Sequence, residues 1–424
     1  MEIARDTYLE KLISRRWDGL VKVITGIRRC GKSYLLFKLF KGRLMSEGVL
    51  PEDIIEIKLD EMGFISLRDP IALYDHIIKL TSDGKKRYVF LDEIQMVSSV
   101  PNPYVKDGEK ITFYETLNSL LNLGYLDIYV TGSNSRMLSS DVLTQFRGRG
   151  EEVRIHPLSF SEFHTAKGGN LSDDYLEYLT FGGMPRIVSL KSEEEKSEYL
   201  RSLFRETYIK DIEERHRVDH PEVLEGVIDL LCSNVGSLTN PRTIASAFRN
   251  VSEGTVRKYL DYIIDAFLFT EAKRFDVKGK RYFSFPEKFY CEDVGLRNAR
   301  LNFRQQEVTH LMENVIFNEL CNRGFSVDVG VVTMNSKNSE GVSVRIPKEI
   351  DFVANRFGER VYIQSAFAIP DEQKMKEILE PFRLVRDSFR KVVVSGDTGK
   401  RWFDDNGVLH INVIDYLMET DCVK

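Results

Sequence analysis

The residues with the clearest chemical signature lie in one short loop near the start of the chain. Residues 26–33 read Gly-Ile-Arg-Arg-Cys-Gly-Lys-Ser and fit the pattern G-x-x-x-x-G-K-[ST], with a β-rich run before them and an amphipathic stretch after them. Glycines let such a loop curl until its backbone N–H groups face phosphate oxygens, and the following helix adds partial positive charge. The alternative, a glycine-rich turn before an ordinary helix, does not require strand, loop and helix in this order. We therefore predict an ATP site formed by Gly26, Ile27, Arg28, Arg29, Cys30, Gly31, Lys32, Ser33 and Tyr34.

Side chains in and near this loop have predicted roles in phosphate chemistry. Lys32 should bridge the β- and γ-phosphates, and the Ser33 hydroxyl should ligate Mg²⁺. Two carboxylates could complete the metal site: Asp60, after a run that alternates as in an edge strand, and Asp92, after a continuously apolar run typical of a central strand. We assign Asp92 to Mg²⁺, and Glu93 to general-base activation of the attacking water rather than to an ordinary turn.

Two later segments carry further candidates. Ser133 and Asn134 follow a predicted strand at its carboxyl end, where ligands of open α/β sheets bind. We assign both to sensing the γ-phosphate or the lytic water, with Asn134 as a catalytic residue. Arg147 and Arg149 lie between glycines after the next helix. We assign Arg149, with Arg147 in reserve, to stabilising transition-state charge in its own or a neighbouring subunit; a solvated basic turn stays open as the alternative.

The elements that must position these residues follow from the alternation of β-rich and helical stretches up to Pro157. This alternation predicts an α/β unit with a parallel sheet flanked by helices. Strands are expected at Val21–Thr25, Ile54–Asp60, Arg87–Asp92, Leu126–Thr131 and Glu151–His156, and helices from Lys32, Pro70, Thr112 and Ser135.

These motifs carry a family resemblance that extends over nearly the whole chain. The nucleotide loop, Leu91-Asp92-Glu93-Ile94-Gln95, residues 131–135 and 146–150, and Pro157-Leu158-Ser159-Phe160 are similar to those of prokaryotic AAA-type P-loop ATPases with a C-terminal domain of unknown function. Phe181-Gly182-Gly183-Met184-Pro185, residues 292–296, Glu313-Asn314 and residues 349–352 continue the match. The resemblance implies a P-loop NTPase core of the AAA (ASCE) type, then a winged helix, then a restriction-endonuclease-like α/β domain. It implies no known substrate.

The chain downstream of the ATPase core divides further by pattern. We expect the core at residues 1–157, a helical lid or linker at 158–219, a winged helix-turn-helix at 220–300 and the endonuclease-like domain at 301–424. Helices at 240–248 and 252–260 precede a hairpin around Lys273-Arg274 and Lys280-Arg281, which would be the wing. Residues 240–290 hold ten Lys plus Arg against six Asp plus Glu, which fits duplex DNA binding; a winged helix used only for packing within an ATPase assembly is the alternative.

The C-terminal unit has the residue order of a metal-dependent nuclease but lacks two of its groups. Glu313 lies in a helix and Asp351 in a strand, as carboxylates for metal would. On the next strand, Gln364 and Ala366 stand where a second acid and a lysine are expected. We therefore expect a catalytically inactive binding platform.

Composition limits the remaining choices. The 424 residues carry a net charge of −5, so contact with DNA must be local. No apolar run approaches the ~20 residues that span a bilayer, and five scattered cysteines indicate neither disulfides nor a zinc site, so we expect a cytoplasmic protein without a membrane partner. The sequence predicts an Mg²⁺-dependent ATPase, able to oligomerise, whose C-terminal modules bind a partner, with DNA favoured. The alternatives are an ATP-gated switch or scaffold, and an ATP-dependent nuclease in defence.

Overall fold

The computed structural model describes residues 2–105, 108–132, 146, 148–304, 307–337, 342–397 and 399–419. They form two compact units. Unit 1 contains residues up to Pro157 together with Asp265–Phe267, and unit 2 contains Leu158–Ile264 and the chain from Leu268 onward. The division of unit 2 into the three parts expected from the sequence stays a prediction.

Unit 1 is built on a five-stranded parallel sheet in the order β2-β3-β6-β1-β7. Strands β1, β3 and β6 are buried almost throughout, whereas β2 alternates and lies at an edge, as its sequence pattern predicts. The prediction of a parallel P-loop sheet is confirmed. The elements are α1 (Asp6–Ser14), β1 (Val21–Thr25), α2 (Lys32–Tyr34), a π-helical stretch (Leu35–Phe40), α3 (Lys41–Ser46), β2 (Ile54–Lys58), α4 (Pro70–Leu80), β3 (Arg87–Asp92), β4 (Val100–Pro101), β5 (Lys110–Ile111), α5 (Phe113–Leu121), β6 (Leu126–Thr131) and β7 (Gly150–Arg154).

Three predicted strands of unit 1 have the expected bounds, and two are shorter. Strand β2 ends at Lys58, so Asp60 lies in the turn that follows, and β7 runs from Gly150 to Arg154. The helix expected from Ser135 lies outside the described residues. Because all five strands are parallel, the P-loop after β1 and Asp92 at the end of β3 meet at the carboxyl edge of the sheet.

Unit 2 begins with a helical segment that leads into a small antiparallel sheet. That sheet has the order β8-β12-β9. The winged helix expected in this part of the chain stays a prediction. The elements are α6 (Phe160–Lys167), α7 (Leu171–Phe181), α8 (Glu193–Ser202), a π-helical stretch (Leu203–Ile209), α9 (Lys210–Arg215), α10 (Pro221–Ser233), β8 (Leu238–Thr239), α11 (Pro241–Ser246), α12 (Glu253–Asp265), β9 (Phe269–Ala272) and β12 (Glu287–Cys291).

An eight-stranded sheet in the order β11-β10-β13-β14-β15-β16-β18-β17 forms the rest of unit 2. It corrects the predicted wing: β10 and β11 do pair as a hairpin, but β10 also pairs in parallel with β13 and so belongs to this larger sheet. Because β10 is hydrogen-bonded to β13, the hairpin is not a separate wing. Strands β9 and β12 pair with each other in the small sheet. The elements are β10 (Arg274–Asp276), β11 (Arg281–Tyr282), α13 (Val294–Arg300), α14 (Val308–Asn322), β13 (Ser326–Lys337), β14 (Ser343–Arg356), β15 (Glu359–Ala366), α15 (Glu372–Leu384), β16 (Arg390–Ser395), β17 (Trp402–Phe403), β18 (Leu409–Asn412) and α16 (Val413–Met418).

Candidate nucleotide-binding and catalytic site

The loop between β1 and α2 is curled by two glycines in conformations that other residues rarely adopt. Gly26 has φ +136° and Gly31 has φ +106°. A Cβ at Gly26 would lie 2.0 Å from the carbonyl oxygen of Ile155, so only glycine fits there. The buried Lys32 ammonium donates to the carbonyl oxygens of Gly26 (2.9 Å) and Ile27 (3.1 Å), which places its charge at the centre of the loop. A charge so placed can reach a phosphate held by the loop.

Ser33 and Asp92, the two predicted metal ligands, meet in the structure. The Ser33 hydroxyl donates to Asp92 Oδ1 over 3.0 Å, and the Thr131 hydroxyl at the end of β6 donates to the same oxygen. Burial raises the pKa of Asp92, while the hydrogen bonds from Thr131 and Ser33 act to lower it. A hydroxyl beside a carboxylate fits Mg²⁺, which binds few protein oxygens and takes its other ligands from phosphates and water. Among the described residues, no group of three or more His, Cys, Asp or Glu side chains could hold a metal by itself.

Glu93 follows Asp92 in a left-handed conformation, with φ +53°. Its backbone N–H donates to the Thr131 hydroxyl over 3.0 Å, and its carboxylate accepts a hydrogen bond from the Gln95 amide. These contacts hold Glu93 at the carboxyl edge of the sheet beside Asp92. Glu61, the acidic residue that follows Asp60, is instead exposed and pairs with Lys58 over 3.0 Å.

Arg149 lies at the opposite end of the sheet from the P-loop. Its carbonyl accepts from the N–H of Val21, the first residue of β1, and its exposed guanidinium donates to Asn122. Thr25, which precedes the P-loop, is four residues further along β1 than Val21, a distance of about 13 Å at 3.3 Å per residue. Arg149 therefore lies far from the P-loop of the same chain. Three other residues with predicted roles at the γ-phosphate lie outside the described residues: Ser133, Asn134 and Arg147.

Sequence reasoning gave no role to Thr131 and Gln95, although both belong to quoted motifs. Thr131 bridges Asp92 and the backbone of Glu93, and Gln95 holds the Glu93 carboxylate. The signal for Thr131 was its position at the end of a buried strand adjacent to β3, but strand order is not visible in the sequence.

The basic residues of the predicted winged-helix region are less available than their number indicates. Arg257, Lys273, Arg281 and Lys288 all pair with acidic side chains. Other exposed basic side chains form no ion pair with any acidic residue described by the structure. They lie on α11, on α12, between these helices and in the turn between β10 and β11: Arg242, Lys258, Arg249, Lys278 and Lys280.

The nuclease-like residues of unit 2 make structural contacts. The buried Lys288 of β12 lies 3.0 Å from Glu313 and 2.8 Å from Glu349. The Gln364 amide is occupied by backbone groups: its oxygen accepts from the N–H of Asp351 (2.9 Å), and its nitrogen donates to two carbonyls. Burial and the neighbouring Glu313 raise the pKa of Asp351 to about 7. Lys288, counted in the sequence among DNA-binding charges, thus serves as an internal counter-ion to carboxylates.

Two protein-family models match parts of the chain. Residues 18–164 match the family model described as "AAA domain", and residues 172–307 match "Domain of unknown function (DUF8612)". An uncharacterised protein of Haemophilus influenzae is 33% identical over 427 residues, covering 98% of this chain and 99% of that protein. An uncharacterised protein of Methanocaldococcus jannaschii is 28% identical, covering 87% of this chain and 79% of its own length.

Solved structures resemble the chain distantly. The ORC1 protein of Aeropyrum pernix in complex with DNA is 12% identical, with a TM-score of 0.32, covering 71% of this chain and 93% of that one. Cdc6p of Pyrobaculum aerophilum is 11% identical, with a TM-score of 0.30, covering 74% and 94%. Likeness at this level says nothing about ligands. No helix among the described residues is long and apolar enough to cross a membrane.

Proposed function

Because the chain belongs to the AAA-type P-loop ATPases with a C-terminal domain of unknown function, we propose that it hydrolyses ATP in an Mg²⁺-dependent reaction coupled to partner binding by unit 2. The observation that carries this proposal is the convergence of Lys32, Ser33 and Asp92 at one edge of the sheet. A P-loop alone supports nucleotide binding. A hydroxyl and a carboxylate in contact beside it support metal-assisted phosphoryl transfer.

Each residue of the site has a defined task in this reaction. The P-loop N–H groups and Lys32 bind the phosphates, and Ser33 with Asp92 would hold Mg²⁺, which neutralises charge on the β- and γ-phosphate oxygens when bound. Glu93 orients the attacking water and accepts its proton. Thr131 fixes the directions of Asp92 and Glu93 together, since it contacts both.

The position of Arg149 supports action on a neighbouring subunit. Its backbone lies beside Val21 at the amino edge of the sheet, and the start of its own P-loop is about 13 Å further along β1 at 3.3 Å per residue. Transition-state stabilisation by this residue therefore requires the nucleotide of a second copy of the chain. Asn134 and Arg147 remain predicted contributors from the sequence.

For the partner, we propose duplex DNA bound through the winged helix of unit 2. Three exposed basic residues of its helix-turn-helix support this: Arg242, Arg249 and Lys258. With three such charges on the described helix-turn-helix and a net charge of −5 for the chain, binding should be weak and sensitive to salt. We do not propose nuclease activity, because Gln364 is engaged by the backbone and Ala366 carries no charge.

Two substitutions test the ATPase proposal. Lys32→Ala should weaken ATP binding and abolish hydrolysis, because it removes the phosphate contact. Glu93→Gln should retain ATP binding and lose hydrolysis about 10²–10⁴-fold, because only the base is lost. Binding is measured by calorimetry and hydrolysis by phosphate release. Hydrolysis by Glu93→Gln at the wild-type rate would refute its role as the base.

A further inference from the structure

The P-loop rests on a layer formed by the N-terminal helix and the segment after β7. Cys30, inside the loop, donates from Sγ to the carbonyl of Ile155 over 3.6 Å, and Gly26 packs against the same carbonyl. The next residue, His156, donates its backbone N–H to the hydroxyl of Tyr8 in α1 over 3.2 Å. The segment behind the loop is thus connected to α1.

Arg5 connects α1, the segment after β7 and the P-loop. It lies at the start of α1, and its carbonyl accepts from the N–H groups of Tyr8 and Leu9. Its guanidinium donates from Nη2 to the carbonyl of His156 over 2.7 Å and from Nη1 to the carbonyl of Cys30 over 3.4 Å. The side chain is only 5% exposed, so these contacts are made away from bulk water. Hydrogen bonds from a charged donor are stronger than neutral ones, especially in such surroundings.

The contact with Cys30 has a geometric consequence for phosphate binding. A trans peptide unit is planar, and its C=O and N–H point in opposite directions. Because Arg5 holds the Cys30 carbonyl, the N–H of Gly31 must point away from Arg5 and toward the other side of the loop. Gly31 immediately precedes Lys32, whose ammonium occupies the inside of the loop. The guanidinium also polarises this peptide unit, which strengthens its N–H as a donor.

We propose that Arg5 is a positioning residue for nucleotide binding, which aims the N–H of Gly31 at a phosphate by holding the Cys30 carbonyl. This inference rests on the proposed ATPase function and deepens it. Arg5 would act through the loop and not by its own contact with nucleotide or metal. Its effect should fall on the affinity for ATP and ADP alike, because a phosphate held by the loop is present in both.

Arg5→Met is the decisive variant, because methionine keeps an unbranched apolar side chain and removes both donors. We expect the Kd for ATP and for ADP to rise by about tenfold, the size of a lost charge-assisted hydrogen bond. The kcat at saturating ATP should stay within about threefold of wild type, because Asp92 and Glu93 are untouched. Arg5→Lys, which keeps the charge and can reach one carbonyl, should give an intermediate Kd and serves if the methionine variant does not fold.

Arg15 provides a matched control on the same helix segment. It donates to a backbone carbonyl of β7, that of Glu152 (3.3 Å), and pairs with Glu151 (2.9 Å), but it does not contact the P-loop. Arg15→Met should leave both Kd values unchanged and lower thermal stability less than Arg5→Met does, because Arg15 is more exposed than Arg5. A purely structural role of Arg5 would make the two variants alike in Kd.

The outcomes separate this inference from the function on which it rests. If wild-type protein binds ATP and Arg5→Met and Arg5→Lys bind it equally well, the positioning role is refuted and the ATPase proposal stands. Equal losses of affinity in Arg5→Met and Arg15→Met would also refute it. If wild-type protein binds no ATP, the proposed function itself fails.

Discussion

The distance between Arg149 and its own P-loop predicts that two inactive variants regain activity when mixed. Arg149→Ala keeps an intact nucleotide site and lacks the arginine, whereas Lys32→Ala keeps the arginine and lacks the phosphate contact. Each variant alone should be inactive, because an arginine of this kind contributes about 10³–10⁵ to the rate. In a mixed assembly, the arginine of one subunit can serve the nucleotide of its neighbour.

The expected recovery follows from counting interfaces. In a closed assembly, each interface joins one nucleotide site to one arginine of the next subunit. In an equal mixture, an interface is intact only when the site comes from Arg149→Ala and the arginine from Lys32→Ala. The probability is one half times one half, so activity should reach about a quarter of wild type. It should fall on either side of the equal ratio as the product of the two fractions.

Phosphate release measured at constant total protein and varied ratio gives this curve. Lys32→Ala mixed with Glu93→Gln is the matched control: both changes affect the same site, so no mixture can assemble an intact one. Absence of recovery at every ratio, with both variants folded and co-assembling, would refute action on a neighbouring subunit. Recovery in the control mixture would refute the placement of Glu93 in the Lys32 site.

Three further predictions concern unit 2. Burial and a neighbouring carboxylate raise the pKa of Asp351 to about 7. The folded state therefore binds this proton more tightly than the unfolded state does, and the free energy of unfolding should increase as the pH falls from 8 toward 5. Asp351→Asn should flatten this dependence and raise the melting temperature at pH 8 by about 2–6 °C; a lower value would contradict the sign. Mg²⁺ or Mn²⁺ should elicit no nicking of plasmid DNA, since Gln364 offers no metal carboxylate; nicking abolished by Asp351→Ala would overturn this. Replacing Arg242, Arg249 and Lys258 together by Ala should reduce the slope of log K for duplex DNA against log salt by about 2–3. Duplex binding that persists with an unchanged slope would refute that interface.

The parallel sheet of unit 1 and the meeting of Ser33 with Asp92 could be predicted from local sequence because they depend on local rules. A β-rich run before the glycine loop predicted β1, and a continuous apolar run before an acidic pair predicted β3. The choice of Asp92 over Asp60 required only the contrast between a central and an edge strand. Strand order placed β6 between these two strands and brought Thr131 to Asp92. No spacing in the sequence reveals that neighbour.

Contacts between distant segments account for what the sequence reasoning missed. Arg5 reaches His156 across 151 positions of the chain, and Lys288 pairs with Glu313 of α14 and Glu349 of β14. Counting charges over a window treated Lys288 as a surface residue, because side-chain burial is set by tertiary packing. The hairpin that was predicted to be a wing belongs to the larger sheet for the same reason: β10 hydrogen-bonds to a strand more than fifty residues later.

Steady-state phosphate release by the wild-type protein tests the central claim most directly. With ATP and Mg²⁺, release should exceed that of Lys32→Ala under the same conditions, and it should disappear when Mg²⁺ is chelated. ATP binding at the Lys32 site with no release above the Lys32→Ala background would contradict an ATPase and favour an ATP-gated switch.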